Sequence, residues 1–330
     1  MRLITKFFRG NIIENFHISY AVVVNDHGKV IFSAGDQNFP SYIRSAAKPF
    51  QAVAMLEAGI VDKYGLTNEE LALLCSTHNG EVIHVDLLRE MMRKVDITVD
   101  DLQCGVHPPI DRSSYEQLIL QGKRPTTVHN ACSGTHIGMI AMAKAMDVAI
   151  ENYNLENHPI QKNIFEKIQT YSEMEKIPTA IDNCNSPTYF LPLKNLAIMY
   201  KKLIAEEDEN LRKVVTAMAL NPQHVAGRNR FDTEFIIATG GKGVSKTGDD
   251  GIGAIGLKGE DGKYYGAAVK SLSGNREVPA YVIIQILKHL KLIGETILTK
   301  LEKYENPVLK NHAGIEYGRV ETEIVSETGS

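Results

Sequence analysis

The chain has 330 residues, 43% of them hydrophobic and 23% charged, with a net charge of −4. That length buries one large core or two smaller ones. A sequence pI of about 6.3, with no run of Lys and Arg, argues against a nucleic-acid footprint. The start, MRLITKFFRGNIIENF, lacks the apolar stretch and small-residue cleavage site of a signal peptide. HIGMIAMAKAMDVAI is too short to span a bilayer, so a cytoplasmic protein is expected.

In chain order, SYAVVV (19–24) and KVIFSAG (29–35) flank NDHG and predict a β-hairpin. RSAAKPFQ (44–51) places Ser45 and Lys48 three residues apart at a predicted helix start. Pro49 suits the first helical turn, and the helix is expected from 49 to 58. Thr67 and Glu70 form a capping-box pattern ahead of a short apolar helix. CSTHNGE (75–81) follows, and Asn79 and Gly80 suit its C-cap. GEVIHVDLLREMMRKV predicts an amphipathic helix, and 101–131 reads as loop-rich. Helices are expected at 134–149, 158–173, 192–206 and 208–219. EFIIATGG, GIGAIGLKG and KYYGAAVKSLS then predict a glycine-punctuated antiparallel meander. EVPAYVIIQILKHLKLIGETILTKL closes with one or two helices, and the tail after Pro307 is expected to be poorly ordered.

The architecture expected is α/β (α+β): an antiparallel sheet flanked by helices, with a helical subdomain in the middle of the chain. As domains, this is a single unit, 1–330. The sheet region is drawn from about 1–60 and 230–330, and the helical subdomain from about 61–229.

The chemistry-bearing residues fall in four places. A serine hydroxyl attacks only when a base takes its proton, and a lysine does so when its pKa is lowered, so Ser45 and Lys48 read as a nucleophile and base, or as a turn serine and a solvated lysine. SKTGDDG (245–251) supplies Lys246 and Gly248 in a Lys-Thr-Gly, the third element of the SxxK serine hydrolases. Their middle Ser-Asp-Asn element is absent; Thr77 of CSTHNGE offers a hydroxyl in its region. HNACSGTH (129–136), with His129, Cys132 and His136, has loose metal-ligand character, and DNCNSPT (182–188) adds Asp182 and Cys184. For all four cysteines, Cys75, Cys104, Cys132 and Cys184, free thiols are the alternative. NPQHVAGRNRFDTE (221–234) reads as a functional loop or a helix-to-strand connection.

Taken together, RGNIIENFHISYAVVV, RSAAKPFQA, CSTHNGEVIH, CGVHPP, HNACSGTHIGM, DNCNSPTYFLPLKNLA, NPQHVAGRNRFDTE and KTGDDGIGAIGLK resemble, in this order, the asparaginase II proteins of the Rhizobium etli type. The resemblance implies a serine β-lactamase-like fold and hydrolysis of L-asparagine to L-aspartate and ammonia through two Ser-Lys pairs. It implies Ser45 and Lys48 as the first pair, with Ser45 acylated, and Lys246 in the second. Thr77 stands where the family's CASH pattern has serine. It implies Cys132 and Cys184 as zinc ligands, but Thr135 replaces the lysine of the family's CSGKH pattern. Arg44, His136 and Asp182 match residues lining the substrate pocket, and the backbone around Gly248 lies where an oxyanion is stabilised. A homodimer is implied, with no nucleic-acid or membrane partner. Two other readings stand beside this one: hydrolysis of another amide, glutamine or a modified asparagine, and a binding homologue without turnover.

Overall fold

The structure is a computed structural model and describes residues 1–326. Its strands are β1 (Arg2–Arg9), β2 (Ile12–Val24), β3 (Val30–Ala34), β4 (Pro40–Tyr42), β5 (Thr179–Ile181), β6 (Pro187–Pro192), β7 (Gly243–Gly248), β8 (Ile252–Lys258), β9 (Tyr264–Ser271), β10 (Val308–Lys310) and β11 (Glu316–Val325). Its helices are α1 (Lys48–Glu57), α2 (Ile60–Tyr64), α3 (Asn68–Leu74), α4 (Val82–Val95), α5 (Arg112–Leu120), α6 (Ser133–Ala145), α7 (Pro159–Ser172), α8 (Leu193–Ile204), α9 (Glu209–Leu220), α10 (Pro222–Val225), α11 (Phe231–Ala238), α12 (Val278–His289), α13 (Glu295–Lys300) and α14 (Glu302–Glu305). No helix of the described residues is long and apolar enough to cross a membrane. Two compact units divide the chain: one of Met1–Ala46, Leu191–Ala205 and Ala238–Ser330, the other of Ala47–Phe190 and Glu206–Ile237.

The first unit is built on an antiparallel sheet in the order β10-β11-β1-β2-β9-β8-β7, with β3 also paired to β2. The predicted hairpin is there: Ala21 pairs with Ala34 and Val23 with Phe32, and Gly28 turns the chain with a positive φ. Val22, Val23, Val269, Ile255 and Val244 are fully buried or nearly so. Helices α8 and α12 pack on the sheet and cover it with Leu196, Met199, Tyr200, Ile283 and Ile284.

The approach of α8 to β9 depends on Gly266. A Cβ there would lie 1.9 Å from the Ala197 carbonyl oxygen and 2.6 Å from the Lys201 nitrogen, both backbone atoms that cannot swing aside. Gly266→Ala is therefore expected to force α8 off the sheet and to cost about 3 kcal/mol, at the upper end of overpacking effects. The check is a urea unfolding series, in which an unchanged midpoint would contradict the packing described.

The second unit is helical. Its core is Phe50, Met55, Leu73, Leu74, Ile137, Ile140, Ile164, Ile168 and Met218, contributed by α1, α3, α6, α7 and α9. The capping box at α3 is formed as read: Glu70 N donates to Thr67 Oγ1, and Thr67 N donates to the Glu70 carboxylate.

Three segments depart from the sequence reading. EFIIATGG, read as a strand, is the body of α11. A short apolar run cannot be told from a buried helix by periodicity alone, and here Asp232 and Glu234 in the first turn favour the helix. The stretch 101–131, read as loop-rich, contains α5, whose N-cap Asp111 accepts from Ser114 N at 2.8 Å. The segment after Pro307, read as poorly ordered, forms β10 and β11. Strand β11 runs antiparallel to the full length of β1, from Arg2 opposite Val325 to Arg9 opposite Gly318. A missing ladder partner, invisible in local composition, is what orders it.

Candidate active site

In the helical unit the site is built around Lys48, the first residue of α1. The side chain is 4% exposed. Its ammonium donates to the Ser76 carbonyl at 2.5 Å and to Thr77 Oγ1 at 3.3 Å. Ser76 and Thr77 are presented by the segment after α3, which ends at Leu74 with Cys75 as C-cap, so Asn79 and Gly80 do not cap it. That segment is held open by backbone bonds from Thr77 N to the Val225 carbonyl and from Asn79 N to the Ala226 carbonyl.

Around Lys48 lie the two predicted sulfur residues. Cys132 caps α6, and Cys184 sits in the tight turn 182–186, where Asp182 N donates to the Ser186 carbonyl and Asn185 takes a left-handed φ of 67°. The influence of each sulfur on the other raises the Cys132 thiol well above its usual range and brings Cys184 down to about 7. Burial alone would discharge Lys48. The pull of Cys132, Cys184 and Asp182 outweighs it, and Lys48 is raised and held as an ammonium. All four cysteines are free. His136 shares a 2.6 Å hydrogen bond between Nδ1 and the Tyr153 hydroxyl, and burial lowers it to about 4. The Tyr153 oxygen also accepts from Gln103 N, so the phenol proton goes to the imidazole, which stays neutral.

Structural zinc takes four protein donors and catalytic zinc three. The described residues offer it two sulfurs, and no group of three or more His, Cys, Asp and Glu among them is placed to hold a metal. Thr135 Oγ1 donates to the Leu74 carbonyl at 2.8 Å, which ties that side chain to α3. The residues present thus match a zinc centre only by half.

In the sheet unit, Arg44 and Ser45 lie on a single 3₁₀ turn, Arg44–Ala47. Arg44 has a φ of 51°, a left-handed conformation that costs a non-glycine residue about 1–2 kcal/mol. Its guanidinium faces Asp249 at 3.7 Å and Asp250 at 3.5 Å, in the turn after β7. Lys246 is fully buried on β7, opposite Ala254 of β8. Gly248 ends the strand. A Cβ there would stand 3.2 Å from Ser45 N and 3.0 Å from the Arg44 side chain, so only glycine leaves the space before the Ser45 N–H open.

The structure thus joins Lys48, Thr77, Cys132, Cys184, Asp182 and His136 in the helical unit. Arg44, Ser45, Lys246 and Gly248 belong to the sheet unit. Two contributors were not found in the sequence. Ser76 acts through its carbonyl, which no motif reports. Tyr153 lies in YNLEN, which carries no signal of its own.

The sequence description of L-asparaginase II matches residues 5–322. The chain belongs to the asparaginase II family. No curated protein sequence matches it. Among solved structures, Mglu in its native form in 4.3 M NaCl is similar over 83% of this chain and 60% of that one, at 14% identity and a TM-score of 0.38. Mglu in its tris and glutamate form is similar over 83% of this chain and 59% of that one, at 16% identity and a TM-score of 0.38. The asparaginase II chain spans about 60% of the length of these structures.

Proposed function

We propose that this asparaginase II member hydrolyses L-asparagine to L-aspartate and ammonia through an acyl-enzyme on Ser45. The observation that carries the reading is Lys48: a buried lysine at the head of α1, three residues after a serine, with its Nζ in reach of the Thr77 hydroxyl. A buried amine tied to a hydroxyl is suited to moving protons.

In this reading Lys48 cycles between the ammonium held in the structure and a neutral amine. The neutral amine takes the Ser45 hydroxyl proton, and the oxygen attacks the side-chain amide carbon. The C–N bond breaks as the nitrogen takes the proton back from Lys48 and leaves as ammonia. Water then attacks the ester carbon and gives a proton to Lys48; as the ester C–O bond breaks, Lys48 returns that proton to the Ser45 oxygen, which frees aspartate and the serine hydroxyl. The open space kept by Gly248 before the Ser45 N–H supports a role for that N–H in holding the oxyanion. Lys246, Arg44, Asp182 and His136 are assigned to charge tuning and to gripping the α-amino and α-carboxylate groups.

The test is ammonia and aspartate release from purified protein given L-asparagine, with L-glutamine in parallel. Turnover of asparagine at ten or more times the rate of glutamine is expected. Faster turnover of glutamine would transfer the reading to that amide, and no release from either would overturn it.

A further inference from the structure

A separate cavity of about 470 Å³ opens in the helical unit, lined by residues of α4, α5 and the segment that follows α5. It shares no residue with the Lys48 cluster. Its volume lies in the range of small-molecule sites. Three cations border it, Arg89, Lys123 and Arg124, against one carboxylate, Asp86. Asp86 stands 3.6 Å from Arg89 and so answers only that charge. Lys123 and Arg124 make no ion pair among the described residues.

The buried wall is polar in a directed way. His129 is 4% exposed, and its Nδ1 accepts from Thr126 N at 2.9 Å. That bond leaves the proton on Nε2, which has no hydrogen-bond partner among the described residues. His129 lines the cavity, so that donor is open to a ligand or water there. Gln117 and Gln121 add amide groups, and Val82, Val85 and Leu118 supply an apolar side.

We propose that this cavity binds a small anion, one carrying a phosphate or several carboxylates. The oxyanion would meet Arg89, Lys123, Arg124 and the His129 Nε2–H, with any apolar body against Val82, Val85 and Leu118. Guanidinium groups suit either oxyanion because their forked N–H donors match two oxygens at once. The site is independent of the asparaginase reading. It borders the Lys48 segment through Gly80, whose N–H donates to His78 Nδ1 at 3.0 Å.

Isothermal titration calorimetry on the whole protein tests this, with AMP as the phosphate probe and citrate as the carboxylate probe. Adenosine is the uncharged control, and sodium chloride matches ionic strength. Saturable binding of AMP or citrate is expected, with adenosine silent. Affinity should fall at least tenfold in Arg124→Glu and in Arg89→Ala, both exposed and neither in the catalytic set. AMP alone would assign a phosphate site and citrate alone a carboxylate site. No saturable heat from either probe, equal binding of adenosine, or unchanged affinity in both variants would each overturn the proposal.

Discussion

Ser45→Ala is expected to lower asparagine turnover by about three orders of magnitude or more, the scale on which removing a catalytic serine acts, while leaving the fold as it is. The second half of that statement comes from the structure. Ser45 is only half-buried, and its hydroxyl takes part in no hydrogen bond among the described residues. Its removal opens no large cavity and leaves no buried partner unsatisfied. Alanine is also at home in the 3₁₀ turn, where Ala46 and Ala47 already follow. Lys48 is a poorer probe, because Lys48→Ala removes a buried ammonium from beside Cys184 and Asp182 and confounds stability with chemistry. The measurement pairs kcat with the thermal midpoint. A variant that kept a tenth of the activity would remove Ser45 from the nucleophile's role. One that lost activity together with several degrees of stability would show that the serine holds the turn.

Acid is expected to unfold the protein from pH 6.5 downward. His78 is fully buried between two bonds: Nδ1 accepts from Gly80 N, and Nε2 faces the Ser133 hydroxyl at 2.9 Å, itself a donor to the Val128 carbonyl. His84 stacks on it at 5.2 Å, with Nδ1 accepting from Glu81 N and Nε2 donating to the Gln223 carbonyl. His224 meets His84 edge-on at 6.1 Å. His78 and His84 are each bonded as a neutral imidazole, and a second ring proton on either would point at an N–H. Burial lowers His78 strongly and lowers His84, His129 and His224 as well. The cations facing them, Lys48, Arg89 and Arg230, act in the same direction, while Glu81 and Glu69 oppose it.

The sign follows from proton counts. Below the ordinary histidine value of 6.5 the unfolded chain binds protons that the folded chain refuses. The stabilising contribution is therefore complete above that pH and is lost as pH falls toward the depressed folded values. His78, lowered most strongly, carries the largest part of that loss, and His84 adds to it. Urea unfolding at pH 7.5 and at pH 5 should show it, with the midpoint falling sharply at the lower pH. Equal midpoints would mean that the imidazoles are charged in the folded protein.

Local chemistry was legible in the sequence wherever a short-range rule decides the outcome. The hairpin at NDHG, the capping box at Thr67 and the start of α1 near Pro49 each rest on residues within a few positions of one another. Lys-Thr-Gly was read as standing just before a strand, whereas Lys246 lies within β7 itself. What could not be read is what distant residues decide. Val320, Thr322 and Ile324 alternate in VETEIV, yet only the β1 ladder turns that pattern into β11. The Cys132–Cys184 pairing comes from two elements some fifty residues apart, and residue spacing carries no information on whether two such sulfurs touch. Lys48 was read from its spacing as a base. Its protonation is set by those sulfurs, and so was as hidden as their pairing.

The β1–β11 ladder carries a consequence for how the chain is born. Among the described strands, the first in chain order pairs on one side with β2 and on the other with the last, β11. The residues of the helical unit are nearly all synthesised between them. During translation the helical unit is therefore free to fold as it emerges, while β1 to β3 wait on the ribosome's surface with open edges until β7 to β9 and then β11 arrive. The exposed ladder of β1 is the stretch for a chaperone to shield, and release of the last strand is the step that closes the sheet.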